Sequence, residues 1–88
     1  MACTVYLGSP LRQYTGGAAT VSADGETLDE ILTDLDRRFP GMRFRMIDEQ
    51  QRIRSHIRIF IGTDAAPDLQ RPVPARQAVH LLCALSGG

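Results

Sequence analysis

The stretch Thr27-Leu28-Asp29-Glu30 constrains this chain more than any other. A threonine followed three residues later by glutamate has the spacing of a capping box, in which hydroxyl and carboxylate satisfy amides that the first helical turn leaves without partners. The spacing predicts a helix opening there. Leu28, Ile31, Leu32 and Leu35 fall at i, i+3, i+4 and i+7, so one apolar stripe faces a core. Asp29 and Glu30 near the start and Arg37 and Arg38 near the end complement the helix dipole, and Pro40-Gly41 stops the helix.

Around this helix the periodicity changes to two. Val5 and Leu7 lie opposite Thr4 and Tyr6, and Ala19, Val21 and Ala23 alternate with Thr20, Ser22 and Asp24. Tyr14-Thr15-Gly16-Gly17 supplies turn residues between them, so the chain is expected to open with a hairpin. Ile57, Ile59 and Ile61 share one face of a later strand and His56, Arg58 and Phe60 the other, ending at Gly62-Thr63. Pro67, Pro72 and Pro74 make residues 65–78 mostly loop. Val79 to Leu85 is apolar almost throughout, with Val79, Leu81, Cys83 and Leu85 on one side and His80, Leu82 and Ala84 on the other, as in a central strand. Between helix and third strand, Met42, Phe44 and Met46 alternate with Arg43 and Arg45 before a turn-like Asp48-Glu49-Gln50-Gln51. A strand and an irregular crossover are both open there.

A chain of 88 residues forms one domain with a single core and no room for an enclosed enzyme pocket beside it, so chemistry belongs on the surface or at an end. Ten arginines balance ten acids. The zero net charge draws the chain to neither nucleic acid nor membrane. Six acids lie between Asp24 and Asp36 and seven arginines between Arg37 and Arg58, an asymmetry that fits a solvated helix and loop or a partner-docking face. The N-terminus has no leader pattern and no stretch reaches the length of a membrane span, which gives a cytoplasmic expectation. Cys3 and Cys83 lack zinc spacing. No metal site and no catalytic constellation is expected, since neither His56 nor His80 has a partner at dyad spacing.

Two strands, one helix and later strands before Ser86-Gly87-Gly88 follow the order of a β-grasp domain. Ala84-Leu85-Ser86-Gly87-Gly88 resembles the end of the bacterial MoaD/ThiS sulfur carriers. Pro10-Leu11-Arg12, Tyr14-Thr15-Gly16-Gly17, Thr27-Leu28 and the long insertion before the His56 strand are most similar to the CysO-type subgroup. The resemblance implies an α+β, ubiquitin-like fold: a mixed sheet on one main helix over residues 1–85, followed by a flexible tail at 86–88. It departs at two turns. Gly62-Thr63 stands where relatives carry Asn-Gly, and Ala75-Arg76-Gln77 where they carry Asp-Gly-Asp, so both turns are expected to be longer or differently shaped.

The resemblance also implies chemistry. A ubiquitin-activating-type adenylyltransferase would transfer AMP from ATP onto Gly88, and a sulfide or persulfide donor would displace AMP to leave a thiocarboxylate for a sulfur-accepting biosynthetic enzyme. The chain would bind no cofactor itself, ATP being used by the partner, and would act as a carrier and not an enzyme. Ser86 and Gly87 would thread the tail into the partner, because a tail with little side chain fits a narrow site. The small subunit of molybdopterin synthase and a protein modifier are the alternatives. Arg58, Phe60, His80 and Leu82, on the outer face of the sheet, would dock the activating enzyme, with Tyr6 a further candidate. Cys3 and Cys83 begin one strand and end another that run parallel, so they are expected to be too far apart for a disulfide. Cys83 is then structural and not a nucleophile.

Overall fold

The computed structural model describes residues 2–74 and 76–83. The first alternation forms strand β1, Ala2–Leu7, with Cys3, Val5 and Leu7 buried and the residues between them exposed. Strand β2, Thr20–Asp24, pairs antiparallel to it, Val5 opposite Val21. The link is more than a hairpin turn. Ser9–Thr15 winds into a 3₁₀ segment that buries Leu11 completely, and the chain reverses at Gly16, whose φ of 68° favours glycine. The Thr15 hydroxyl donates to the carbonyl of Ala18 (2.8 Å) and closes that turn.

Helix α1, Leu28–Arg38, begins as its caps require. The amide of Glu30 donates to Thr27 Oγ1 (3.3 Å), while the Glu30 carboxylate accepts from the amide of Glu26 (2.7 Å), one residue earlier than a capping box expects. Leu28, Ile31, Leu32 and Leu35 are fully buried, in the same core cluster as Val5, Val79 and Leu81. Deleting any one of these side chains to alanine removes contacts that cost about 2–5 kcal/mol in a well-packed core.

Residues 42–46 are a second, short helix, α2 (Met42–Met46), entered through Gly41 at φ 94°. Met42 and Met46, four apart, are both buried, whereas Phe44 is 60% exposed. The apparent alternation is thus one helical turn with arginines on its flanks. Asp48 then holds a tight turn by accepting from the amides of Gln50 and Arg52, and Ile47 bridges to Ile53.

Strand β3, Ile57–Ile61, is followed by a two-residue link, Gly62-Thr63, and by β4, Asp64–Ala65, which pairs antiparallel with it. This turn is not longer but is differently shaped from an Asn-Gly turn, because Gly62 takes a positive φ (64°) at the first linking position and Thr63 does not at the second. The segment read as loop also does structural work. The amides of Leu28 and Asp29 donate to the carbonyls of Arg71 and Leu69, and that of Val73 donates to Glu26, so orphan helix-start donors find partners there. Leu69 and Val73 are buried in the core.

Strand β5, Val79–Cys83, lies at the centre of a five-stranded sheet among the described residues, in the order β2-β1-β5-β3-β4. It runs parallel to β1 and antiparallel to β3. The result is the mixed sheet on one main helix of a β-grasp domain, left open at its edges. Ala75 and the tail residues Ser86, Gly87 and Gly88, with Ala84 and Leu85, lie outside the described residues. Among the described residues, no helix is long and apolar enough to cross a membrane.

Asp34 ties helix to edge strand. Its nearly covered carboxylate accepts from the amide of Asp24 (3.0 Å) and pairs with Arg37 and Arg38, while Arg38 also donates to the carbonyl of Ser22 on β2. The Asp24 amide first, then Arg37, holds the Asp34 carboxyl below its ordinary value. A depressed folded pKa stabilises the fold above the unfolded value of about 3.9, and that contribution is lost as pH falls through the folded value. Asp34→Ala should lower stability at neutral pH by roughly 1–3 kcal/mol. In chemical denaturation the gap from wild type should shrink once pH drops below that window; an undiminished gap in acid would show that the ionised carboxylate is not the tie.

Candidate functional site

Register decides which side chains meet on the outer face. The parallel pairing puts Tyr6 of β1 opposite His80 of β5, and the antiparallel pairing puts Phe60 of β3 opposite His80 and Arg58 opposite Leu82. His80 is therefore the centre of a row Tyr6–His80–Phe60, with Arg58 and Leu82 one step nearer the end of β5. The rings of Tyr6 and His80 stack with centroids 4.9 Å apart and planes 12° from parallel. The structure places Arg58, Phe60, His80 and Leu82 side by side on one face, with the further candidate Tyr6 beside His80.

Exposed apolar surface on this face is unusual for the chain. Tyr6 is 43% and Leu82 40% exposed, and among the described residues Phe44 is the remaining large hydrophobic of that kind. Phe60 and His80 are half-buried by their neighbours. Arg58 is exposed, its Nη1 donating to the carbonyls of Ser55 (2.7 Å) and Ile57 (3.1 Å), which holds the guanidinium at the end of the strand. Aromatic and apolar groups beside a fixed arginine have the composition of an interface core. Tyr6 belongs to it only through the parallel β1–β5 register, a long-range fact that alternation within β1 does not reveal.

The inner face is the core, so the two cysteines do not share the outer face with this cluster. Cys3 is buried and Cys83 half-buried, both as free thiols. Their strands are offset by six register positions, roughly 20 Å at ~3.3 Å per residue, too far for a disulfide. Burial, aided by Asp24, pushes the Cys3 thiol up; burial also pushes Cys83 up, against the opposing charge of Arg45. Among the described residues, no group of three or more His, Cys, Asp and Glu is placed to hold a metal ion. Gly88, Gly87 and Ser86, expected to form the reactive end, lie outside the described residues.

No family model matches the chain. Over 93 aligned positions it is 29% identical to the sulfur carrier protein CysO of Mycobacterium tuberculosis and to that of Mycobacterium bovis, covering 100% of both chains in each case. Its fold superimposes on the crystal structure of Mycobacterium tuberculosis CysO with a TM-score of 0.88 and 26% identity, covering 94% of this chain and 99% of that one. A chain of the Amycolatopsis orientalis BexX/CysO complex gives 0.90 and 28% identity, with 98% and 99% covered. SAMP1 from Haloferax volcanii matches at 0.83 and 23% identity over 100% of both chains, a likeness of fold.

Raised thiol pKa values predict slow alkylation at neutral pH, because the thiolate is the nucleophile. Both cysteines should react more slowly with iodoacetamide than a free thiol, Cys83 faster than the more buried Cys3, and denaturant should equalise them. Mass spectrometry of timed samples reads this directly. Rapid modification of Cys83 in the folded chain would instead mark it as activated.

Proposed function

We infer that this chain, a homologue of the CysO sulfur carriers with their ubiquitin-like β-grasp fold, is a CysO-type sulfur carrier protein, consistent with sulfur donation in cysteine biosynthesis. What carries the reading is similarity along the whole length, in sequence and in fold, to proteins of that function. The working group we propose is the carboxylate of Gly88. At neutral pH such a carboxylate, with a reference pKa of about 3.5, is an anion and a poor electrophile. An activating enzyme must therefore convert it.

In the proposed sequence a Gly88 carboxylate oxygen attacks the α-phosphorus of ATP and pyrophosphate leaves. Sulfide then attacks the acyl carbon and AMP leaves with the C–O bond electrons. The product is a C-terminal thiocarboxylate. If the donor is a persulfide, an acyl disulfide forms first and a thiol must cleave it. The carrier contributes the acyl group and the partner the catalysis and the ATP site; a sulfur-accepting biosynthetic enzyme takes the product. Dependence on ATP fits a cytoplasmic setting.

The outer-face cluster of Arg58, Phe60, His80 and Leu82, extended by Tyr6, is the proposed docking surface for the ubiquitin-activating-type adenylyltransferase. The complex of BexX with a related CysO supports protein partnership for carriers of this type. The alternatives, a molybdopterin synthase small subunit and a protein modifier, are less favoured: the match to the archaeal SAMP1 modifier is one of fold alone.

Pyrophosphate exchange by the activating enzyme separates docking from chemistry. Phe60→Ala and Leu82→Ala should each raise the KM for the carrier by about tenfold or more, the size of an interface hot spot, with the fold intact. Deleting Gly87 and Gly88 should abolish exchange without unfolding the chain. Unchanged kinetics in the folded Phe60→Ala chain would remove the docking assignment, and persistent exchange in the truncated chain would remove Gly88.

A further inference from the structure

The docking face leaves unused a cationic cleft at the end of the sheet from which the chain continues past Cys83. Arg45 of α2, Arg54 and His56 line it with Tyr14, Gly41 and Phe44, enclosing about 360 Å³ open to solvent. Its position follows from register. Ile57, next to His56, pairs with Cys83, and Arg45 is close enough for its charge to act on the Cys83 thiol.

Like Arg12, Arg58, Arg71 and Arg76, the two arginines of this cleft stand outside the ion pairs of the described residues, and they are the two that share one cleft. Arg37 and Arg38 are paired with Asp34, Arg43 with Asp29 and Arg52 with Asp48. Among the described residues, Arg45 and Arg54 form no ion pair and no acid lines the cleft; the nearest carboxylate shown to feel either charge is Asp48, which Arg54 helps keep ionised. Arg54 is nonetheless held in place: its Nε donates to the carbonyl of Phe44 (2.8 Å) and its guanidinium lies 4.6 Å from the centroid of the exposed Phe44 ring. That leaves a pre-oriented guanidinium lining the cleft, with a second arginine beside it in the same lining. Such groups match carboxylates, which they bind through paired, charge-assisted hydrogen bonds.

We propose that this cleft is a second contact surface, which receives an acidic segment of the activating enzyme as that enzyme takes up Gly88. The assignment depends on the carrier function above and adds to it a partner chemistry. Any enzyme that binds the residues following Cys83 must bring its surface against the flank of β5, where Arg45, Arg54 and His56 lie. Aspartates or glutamates there complement two unpaired guanidiniums. Contacts of this kind act chiefly on encounter rate and salt dependence.

Activation kinetics of the full chain, at low and high salt, test this with wild type, Arg45→Glu/Arg54→Glu and Arg45→Lys/Arg54→Lys. Charge reversal should raise KM for the carrier by about tenfold or more at low salt, with kcat retained, and should remove most of the salt dependence of KM. The lysine pair, which keeps charge but loses the planar fork, should fall between and guards against a folding defect in the reversed pair. If wild type is activated and the folded Glu pair shows the same KM and salt slope, the inference is overturned. If wild type is not activated at all, the carrier function fails and this surface with it. A concentration-dependent dimer in sedimentation, dissolved by the same charge reversal, would assign the cleft to the acidic α1 face of a second copy and overturn it too.

Discussion

The parallel pairing of β1 with β5 is the contact on which the rest of the structure depends. Val5 lies opposite Val79 and Leu7 opposite Leu81, and all four side chains are buried. Parallel neighbours cannot be joined by a tight turn, so the chain between them must return across a face of the sheet. Helix α1 covers the inner face as part of that return, its stripe filling the space over β1 and β5. The same pairing sets Tyr6 beside His80 on the opposite face. Core and proposed docking surface are thus two sides of one register, and a slip of one residue would exchange them.

Charge is arranged by the same economy of connections. The acids of α1 and the arginines after it look separate in sequence, yet Asp34 pairs with Arg37 and Arg38, and Asp29 reaches across to Arg43. Asp36 accepts instead from the amides of Gly41 and Arg43, fixing the entry to α2. Much of the asymmetry is consumed inside the fold. Of the arginines between Arg37 and Arg58, the described residues leave Arg45, Arg54 and Arg58 outside any ion pair; Arg45 and Arg54 line one cleft, and Arg58 donates to backbone carbonyls. A chain with no net charge therefore still presents a local cationic surface.

Local pattern made the α1 stripe, the alternation in β1, β3 and β5 and the outer-face set of Arg58, Phe60, His80 and Leu82 legible, because each depends on neighbours three or four residues apart in a helix or two apart in a strand. The rest required contacts distant in sequence. Met42 and Met46 alternate like a strand but pack as one turn, since their common face is set by the core beneath them. Residues around Leu69 and Val73 look like proline-rich loop and become partners of the α1 amides only once the chain has folded back. Tyr6 joins His80 through the same kind of remote pairing. The role proposed for Gly88 rests on resemblance, since a terminal glycine has no side chain whose pattern could announce a task.

Together these features describe a small sheet-and-helix platform that presents one aromatic and apolar outer face, the proposed recognition surface, and ends its central strand close to a charged cleft. On this account the sheet supplies recognition and the final glycine supplies the reacting carboxylate. The most direct measurement is the intact mass of the chain after incubation with ATP, its activating enzyme and a sulfide donor, followed by fragmentation. The account predicts a mass gain equal to the exchange of one oxygen for one sulfur, dependent on ATP and confined to Gly88. A chain that binds the enzyme and leaves its mass unchanged, or that carries the sulfur on Cys83, would contradict it.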